Sequence, residues 1–132
     1  MPVPDVFLTG GTGFIGSALL KRLLAEGRSV RALVRSDADA TAMAVRGVEP
    51  VIGDIQDSLS LDMGGCQKVF HVAGLNSMCL RDPSELERVN VGGTLAVVQA
   101  AARHGVARLV YTSSAAAIGE PEGSIGSEST LH

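Results

Sequence analysis

Apolar residues fall into short continuous runs separated by longer stretches with helical spacing. The runs centre on Val6-Phe7-Leu8, Val30-Arg31-Ala32-Leu33-Val34, Val48 to Ile52, Val69-Phe70-His71-Val72 and Leu109-Val110-Tyr111. Runs of this kind suit strands buried on both faces of a parallel sheet. They predict strands over 5–9, 29–34, 48–52, 68–72 and 108–112. Between them, Ile15, Ala18, Leu19, Leu23 and Leu24 mark one face of a helix over 14–26, stopped by Gly27. A shorter helix is predicted over 37–45, with Ser36 or Asp37 as its cap and Gly47 beyond it. A brief helix is expected over 57–63, closed by Gly64-Gly65. Pro83 suits the first turn of a long helix reaching about His104, along which Leu86, Val89, Asn90, Leu95, Val98 and Ala102 recur at mixed helical steps. Strands alternating with helices predict a right-handed, Rossmann-like doubly wound α/β fold with five parallel strands. Residues 1–119 form this domain; 120–132, rich in Gly, Ser and Glu and without apolar periodicity, read as a loop.

In such a sheet, ligands sit beyond the carboxyl ends of the strands, where strand order reverses. The unusual residues gather there. After the first strand comes Thr9-Gly10-Gly11-Thr12-Gly13-Phe14-Ile15-Gly16. Gly10 permits a tight turn, Gly13 lets a pyrophosphate approach the backbone, and Gly16 lets the helix pack close to the strand. The helix starting at Phe14 aims free N–H groups and its positive dipole end at an anion. Arg35 ends the second strand, where an NAD site commonly has Asp or Glu. A guanidinium there pairs with a 2′-phosphate, which favours NADP over NAD; the bland alternative is a solvated strand-end residue. Asp54 can accept from an adenine amino group or simply form a turn. Ala73 and Gly74 offer small side chains where a cofactor crosses the sheet edge. Asn90, on an otherwise apolar helix face, needs partners and is expected to tie its helix to the loop after the fourth or fifth strand. Ser113 and Ser114 close the fifth strand, where a hydroxyl can orient a substrate carbonyl or cap the next turn.

The composition narrows the partners. A chain of 132 residues, 45% hydrophobic and 19% charged, is one globular domain's worth. The formal charge of −3, without a Lys/Arg cluster, gives no footprint for nucleic acid. No apolar run nears the roughly 18 residues that span a bilayer, so a cytoplasmic protein working on a small molecule is expected. The cysteines Cys66 and Cys79 lack metal-ligand spacing and read as reduced thiols; no metal site is expected.

The motifs together resemble the short-chain dehydrogenase/reductases, in particular the extended class of NAD(P)-dependent epimerases, dehydratases and dihydroflavonol reductases. The resemblance rests on Thr9 to Gly16, Gly53-Asp54-Ile55, Val69 to Ala73, Val89-Asn90-Val91-Gly92-Gly93-Thr94 and Leu109 to Ala115, and covers nearly the whole chain. Val30 to Arg35 is similar to the NADP-dependent dihydroflavonol-reductase branch. The resemblance implies Gly10, Thr12, Gly13, Phe14, Ile15 and Gly16 at the phosphates and Arg35 at the 2′-phosphate. It further implies Asp54 and Ile55 at the adenine, Val72, Ala73 and Gly74 along the ribose and nicotinamide, Ser113 near the nicotinamide, and Ser114 as the catalytic serine. A homodimer through the long helices is a further expectation.

One departure stands out. The family's Tyr and Lys, spaced YxxxK, follow that serine by a few tens of residues, and positions up to His132 do not contain them; the single tyrosine is Tyr111. The expectation is therefore the cofactor-binding part of a longer protein, inactive by itself. The parent reads as an oxidoreductase of a carbonyl or secondary alcohol, with a nucleotide-sugar epimerase or dehydratase, or a non-catalytic dinucleotide sensor or assembly subunit, as alternatives.

Overall fold

The computed structural model describes residues 3–77, 79–120 and 122–130. Five parallel strands, β1 (Val6–Thr9), β2 (Val30–Val34), β3 (Glu49–Ile52), β4 (Lys68–His71) and β5 (Arg108–Tyr111), lie in the order β3-β2-β1-β4-β5. Each strand was legible in the apolar runs; each is shorter by one residue at one end. The order reverses between β1 and β4, which pair in parallel from Val6 with Lys68 to Thr9 with His71.

Side-chain alternation divides the strands between two cores. On one face Val6, Leu8, Val30, Ala32 and Val34 meet Leu20 and Leu23 of α1 (Phe14–Ala25) and Met43 of α2 (Asp37–Val45). On the other, Phe7, Leu33 and Val69 meet Val97, Ala100 and Ala101 of α4 (Gly93–Arg103), together with Ile55, Leu61, Met63 and Cys66. Helices cover both faces, so the fold is the expected doubly wound sheet.

Three local expectations need correction. The apolar face read for α1 holds in part: Leu23 is buried and Leu19 and Leu24 pack against the core, but Ile15 is 57% exposed and Ala18 is exposed, while Gly16 and Leu20 are buried instead. The brief helix over 57–63 is a single 3-10 turn, Ser58–Ser60, capped by the Asp57 carboxylate on Leu59 N–H. Beyond it the chain is not helical: Leu61 and Met63 are both buried, and the Arg31 guanidinium takes the Asp62 and Gly64 carbonyls at 3.2 and 2.9 Å. Those carbonyls are the acceptors that a helix would have needed.

The long helix forms, but it is not uniform. It opens as α3 (Ser84–Leu86), passes through a π-helical stretch, Glu87–Gly92, and continues as α4 with helical backbone throughout. At its start the Asp82 carboxylate accepts from the Ser84 hydroxyl, from Ser84 N–H and from Arg88, contacts that hold its pKa below the usual value. The wider π turn rotates the face presented to the sheet. Gly93, Ala96, Val97, Ala100 and Ala101 are buried, whereas Leu95 and Val98, read as inward positions, are 56% and 47% exposed. Small residues let the helix lie close: a Cβ on Gly93 would stand 3.1 Å from the Ile55 side chain.

β5 leads into a 3-10 turn, Ala115–Ala117, and described residues after 119 form turns and bends without a strand or helix. No helix among the described residues is long and apolar enough to cross a membrane.

Candidate functional site

The carboxyl ends of β1 and β4 flank the switch point. Gly10 follows β1 with φ +74°, a conformation open to glycine, and a Cβ there would lie 2.6 Å from Ala73 N and 2.9 Å from the Val72 carbonyl carbon. The loop after β1 therefore touches the loop after β4. Gly13 N–H donates to the Gly10 carbonyl at 3.0 Å, closing the turn. Gly16 is tighter still, since a Cβ on it would sit 1.9 Å from Gly10 O. No other residue fits without moving the loop.

The same arrangement leaves the first turn of α1 open. Its N-cap is Gly13, which has no side chain to cap it, and no acidic residue stands in that turn. The N–H groups of Phe14, Ile15 and Gly16 have no intrahelical acceptor by position. The Phe14 side chain is 95% exposed, and Thr12 and Gly13 are exposed beside it. The glycine-floored hollow therefore faces an uncapped helix N-terminus, where unpaired N–H groups and the positive end of the helix dipole gather.

The other sequence-derived residues all reach this edge, spread along it. Arg35 follows β2, is exposed, and has no ion pair or hydrogen bond through its guanidinium among the described residues. Beside it, Ser36 caps α2 by accepting from Asp39 N–H at 3.1 Å. Asp54 follows β3 and serves in a turn: one carboxylate oxygen accepts from Gln56 N–H at 2.8 Å, while its own N–H donates to Ser60 Oγ at 3.0 Å. Its second carboxylate oxygen makes no hydrogen bond among the described residues. Ile55 is 9% exposed and packs in the core under α4, so its side chain does not face the edge. Ser113 and Ser114 are exposed beyond β5, and Ser114 Oγ accepts from Ala116 N–H at 3.2 Å, capping the 3-10 turn. β1 and β4 lie between β2 and β5, so Arg35 and Ser114 are not neighbours but stand on opposite sides of β1 and β4 along the carboxyl edge.

Val72, Ala73 and Gly74 form the wall opposite the glycine loop, held from behind by residues that sequence reasoning passed over. Thr9 Oγ1 receives Val72 N–H at 3.2 Å and Ala73 N–H at 3.1 Å and lies 2.8 Å from His71 Nδ1. His71 Nε2 is 3.0 Å from Thr94 Oγ1, whose hydroxyl donates to the Asn90 carbonyl at 2.6 Å. The Asn90 side chain then clasps Leu75 from both sides, accepting from its N–H at 2.7 Å and donating to its carbonyl at 2.9 Å. Asn90 thus ties its helix to the loop after the fourth strand, one of the two places expected. Strand alternation holds the missed signal: Thr9 and His71 share the face of buried Phe7 and Val69, and polar side chains in such a place must be paired. Burial holds the His71 imidazole below its ordinary pKa of 6.5, and the Tyr111 ring stacks on it at 5.3 Å.

Both cysteines are free; burial raises the Cys66 thiol to about 11, which keeps it protonated and unreactive at neutral pH. Among the described residues no group of three or more His, Cys, Asp or Glu is placed to hold a metal ion.

With this geometry in view, the family model described as "NAD dependent epimerase/dehydratase family" matches residues 6–132. The chain belongs to that family. It is 45% identical over 114 residues to "Putative dihydroflavonol 4-reductase" of Synechocystis sp., covering 86% of this chain and 33% of the relative. It is 37% identical over 136 residues to UDP-glucose 4-epimerase 4 of Oryza sativa subsp. japonica, covering 90% of this chain and 34% of the relative. Among solved structures, a short-chain dehydrogenase/reductase superfamily protein from Agrobacterium tumefaciens with bound NAD superposes with TM-score 0.71 at 30% identity, covering 85% of this chain and 33% of that one. The chain spans about a third of the length of the curated relatives it matches.

Proposed function

We propose that this chain is the dinucleotide-binding part of an NADP-dependent oxidoreductase acting on a carbonyl or secondary alcohol. The observation that carries the reading is the glycine-floored hollow between Gly10, Gly13 and Gly16 at the uncapped N-terminus of α1, set at the switch point of the sheet. The pyrophosphate fits there, with N–H groups of Phe14 to Gly16 as donors. Asp54 offers its free carboxylate oxygen to the adenine amino group, beside Ile55. Val72 to Gly74 line the ribose and nicotinamide side. The bound dinucleotide supplies or accepts a hydride. Ser113 borders the nicotinamide, and Ser114 orients the substrate oxygen by hydrogen bonding, a task that its present cap bond to Ala116 leaves open through its hydroxyl proton.

Arg35 supports NADP over NAD, because its exposed guanidinium is uncommitted at the end of β2, where the ribose 2′-substituent arrives. Titration of the protein with NADPH and NADH tests this. NADPH is expected to bind about tenfold more tightly or better, and Arg35→Asp to abolish that preference; equal affinities in the unmodified protein would overturn the NADP assignment. The UDP-glucose epimerase relative favours a second reading, in which the cofactor is NAD and is reduced only transiently; tighter NADH binding would select it. The stacking of Tyr111, the single tyrosine, on His71 supports a structural role for it, and the 132-residue chain by itself is expected to bind dinucleotide without turnover. If NADPH and NADH both fail to bind, a role outside dinucleotide chemistry follows.

A further inference from the structure

The polar chain behind Val72 to Leu75 has a direction that can be worked out by counting protons. A threonine hydroxyl has one proton and two acceptor positions. Both acceptor positions of Thr9 Oγ1 are filled, by Val72 N–H and Ala73 N–H. Its proton is therefore left for His71 Nδ1, 2.8 Å away, and that nitrogen must be the bare acceptor. The far end gives the same answer independently. Thr94 spends its proton on the Asn90 carbonyl at 2.6 Å, a separation too short for two oxygens without a proton between them. Thr94 Oγ1 must then accept from His71 Nε2, 3.0 Å away, so that nitrogen carries the hydrogen. The reverse tautomer would set Nδ1–H against a filled hydroxyl and leave the Thr94–Asn90 pair without a proton. An imidazolium would do the first of these, at the cost of a backbone hydrogen bond to Val72 or Ala73.

We infer that Thr9, His71, Thr94 and Asn90 form one directional hydrogen-bond chain, with His71 held as the neutral Nε2–H tautomer, that fixes the backbone of residues 72–75 as a wall of the dinucleotide groove. The four are positioning residues. They turn the N–H groups of Val72, Ala73 and Leu75 and the carbonyl of Leu75 inward. Burial disfavours the charged ring, in agreement with a neutral histidine, and the Tyr111 ring stacks on it. The π-helical stretch Glu87–Gly92 belongs to the same device: it carries Asn90, and it closes on Gly93, whose N–H reaches both the Arg88 and Val89 carbonyls. The wall's use as a cofactor surface rests on the function proposed above; the direction of the chain does not.

Long-range 1H–15N correlation of the His71 ring in the protein tests the direction without any cofactor. The expected spectrum at neutral pH shows a pyrrole-type Nε2 and a pyridine-type Nδ1; the opposite assignment, or an imidazolium pattern, overturns the chain. Positioning is tested with Thr94→Val, which keeps the shape and loses the acceptor, against Thr94→Ser, which keeps both hydroxyl functions. Thr94→Val is expected to speed amide exchange at Val72, Ala73 and Leu75 by about tenfold and to weaken NADPH by a similar factor, with Thr94→Ser restoring both. Unchanged exchange at those amides in Thr94→Val overturns the positioning role. Faster exchange with undiminished NADPH affinity overturns the wall's place in the groove while leaving the chain intact. Failure of the unmodified protein to bind either dinucleotide overturns the proposed function instead, and does not alter the ring spectrum.

Discussion

Thr9 on β1 and His71 on β4 stand in register and are 0% and 1% exposed, while Tyr111, in register with His71 on β5, is 47% exposed and its neighbour Val110 is 42% exposed. The three strands have the same backbone direction and the same pairing. What differs is cover. At the β1–β4 junction the glycine loop closes from the strand ends and Thr94 reaches in from α4, so each buried polar atom has had to find a partner. At β5 the serines stand in solvent, and the hydrogen bond Ser114 accepts comes from Ala116 N–H two residues along. Burial makes position specific, because a displaced polar group loses its partner without gaining water. The β1–β4 end of the edge is thus set in advance, whereas the serine end is left exposed to solvent.

The comparison breaks most easily at Gly16. Gly16→Ala places a methyl 1.9 Å from the Gly10 carbonyl oxygen, so the loop must move and the hollow with it. A loss of about 3 kcal/mol in urea unfolding is expected, with NADPH binding abolished. A loss below about 1 kcal/mol would show that the junction yields as freely as the β5 end.

Lowering the pH probes the junction more gently. The His71 pKa is depressed in the folded protein, so as pH falls the unfolded chain takes up the proton first. Stability contributed by the neutral ring is complete above the ordinary value of 6.5 and declines as pH falls below it towards the folded value. The slope from this group reaches at most about 1.4 kcal/mol per pH unit. Comparing the pH dependence of unfolding with that of His71→Gln isolates the effect from other groups; identical slopes would mean that His71 is not held neutral.

Tyr111 joins the two regions, since its ring covers His71. Tyr111→Ala is expected to cost about 1 kcal/mol and to move the His71 pKa back towards 6.5, as followed by NMR titration. An unmoved His71 would assign its burial wholly to α4. The smallest effect is expected at Ser114. Ser114→Ala removes an exposed cap on a single 3-10 turn and should cost about 0.5 kcal/mol in thermal unfolding, without changing NADPH affinity. A much larger loss would show that the β5 end is as firmly built as the junction.

The amino-acid pattern alone specified five strands, their helical crossovers and the convergence of Gly10, Arg35, Asp54, Gly74 and Ser114 on one edge, because runs of buried strand residues and glycine punctuation are local signals. The strand-end glycines carry their meaning in the chain itself: φ +74° at Gly10 and the missing Cβ at Gly16 are properties of residue type. Three things were decided only by tertiary packing. Helical periodicity pointed Leu95 and Val98 inward, but the π turn at Glu87–Gly92 presented alanines and Gly93 to the sheet instead. Residues 61–63 stay outside any helix, where Leu61 and Met63 are buried and Arg31 of β2 takes the carbonyls of Asp62 and Gly64. Thr9, His71 and Thr94 became one polar chain because register on two strands and a helix descending over them brought together groups separated by 62 and 23 residues. A polar side chain's partner is fixed by where its own element packs, and that distance in sequence leaves no local trace.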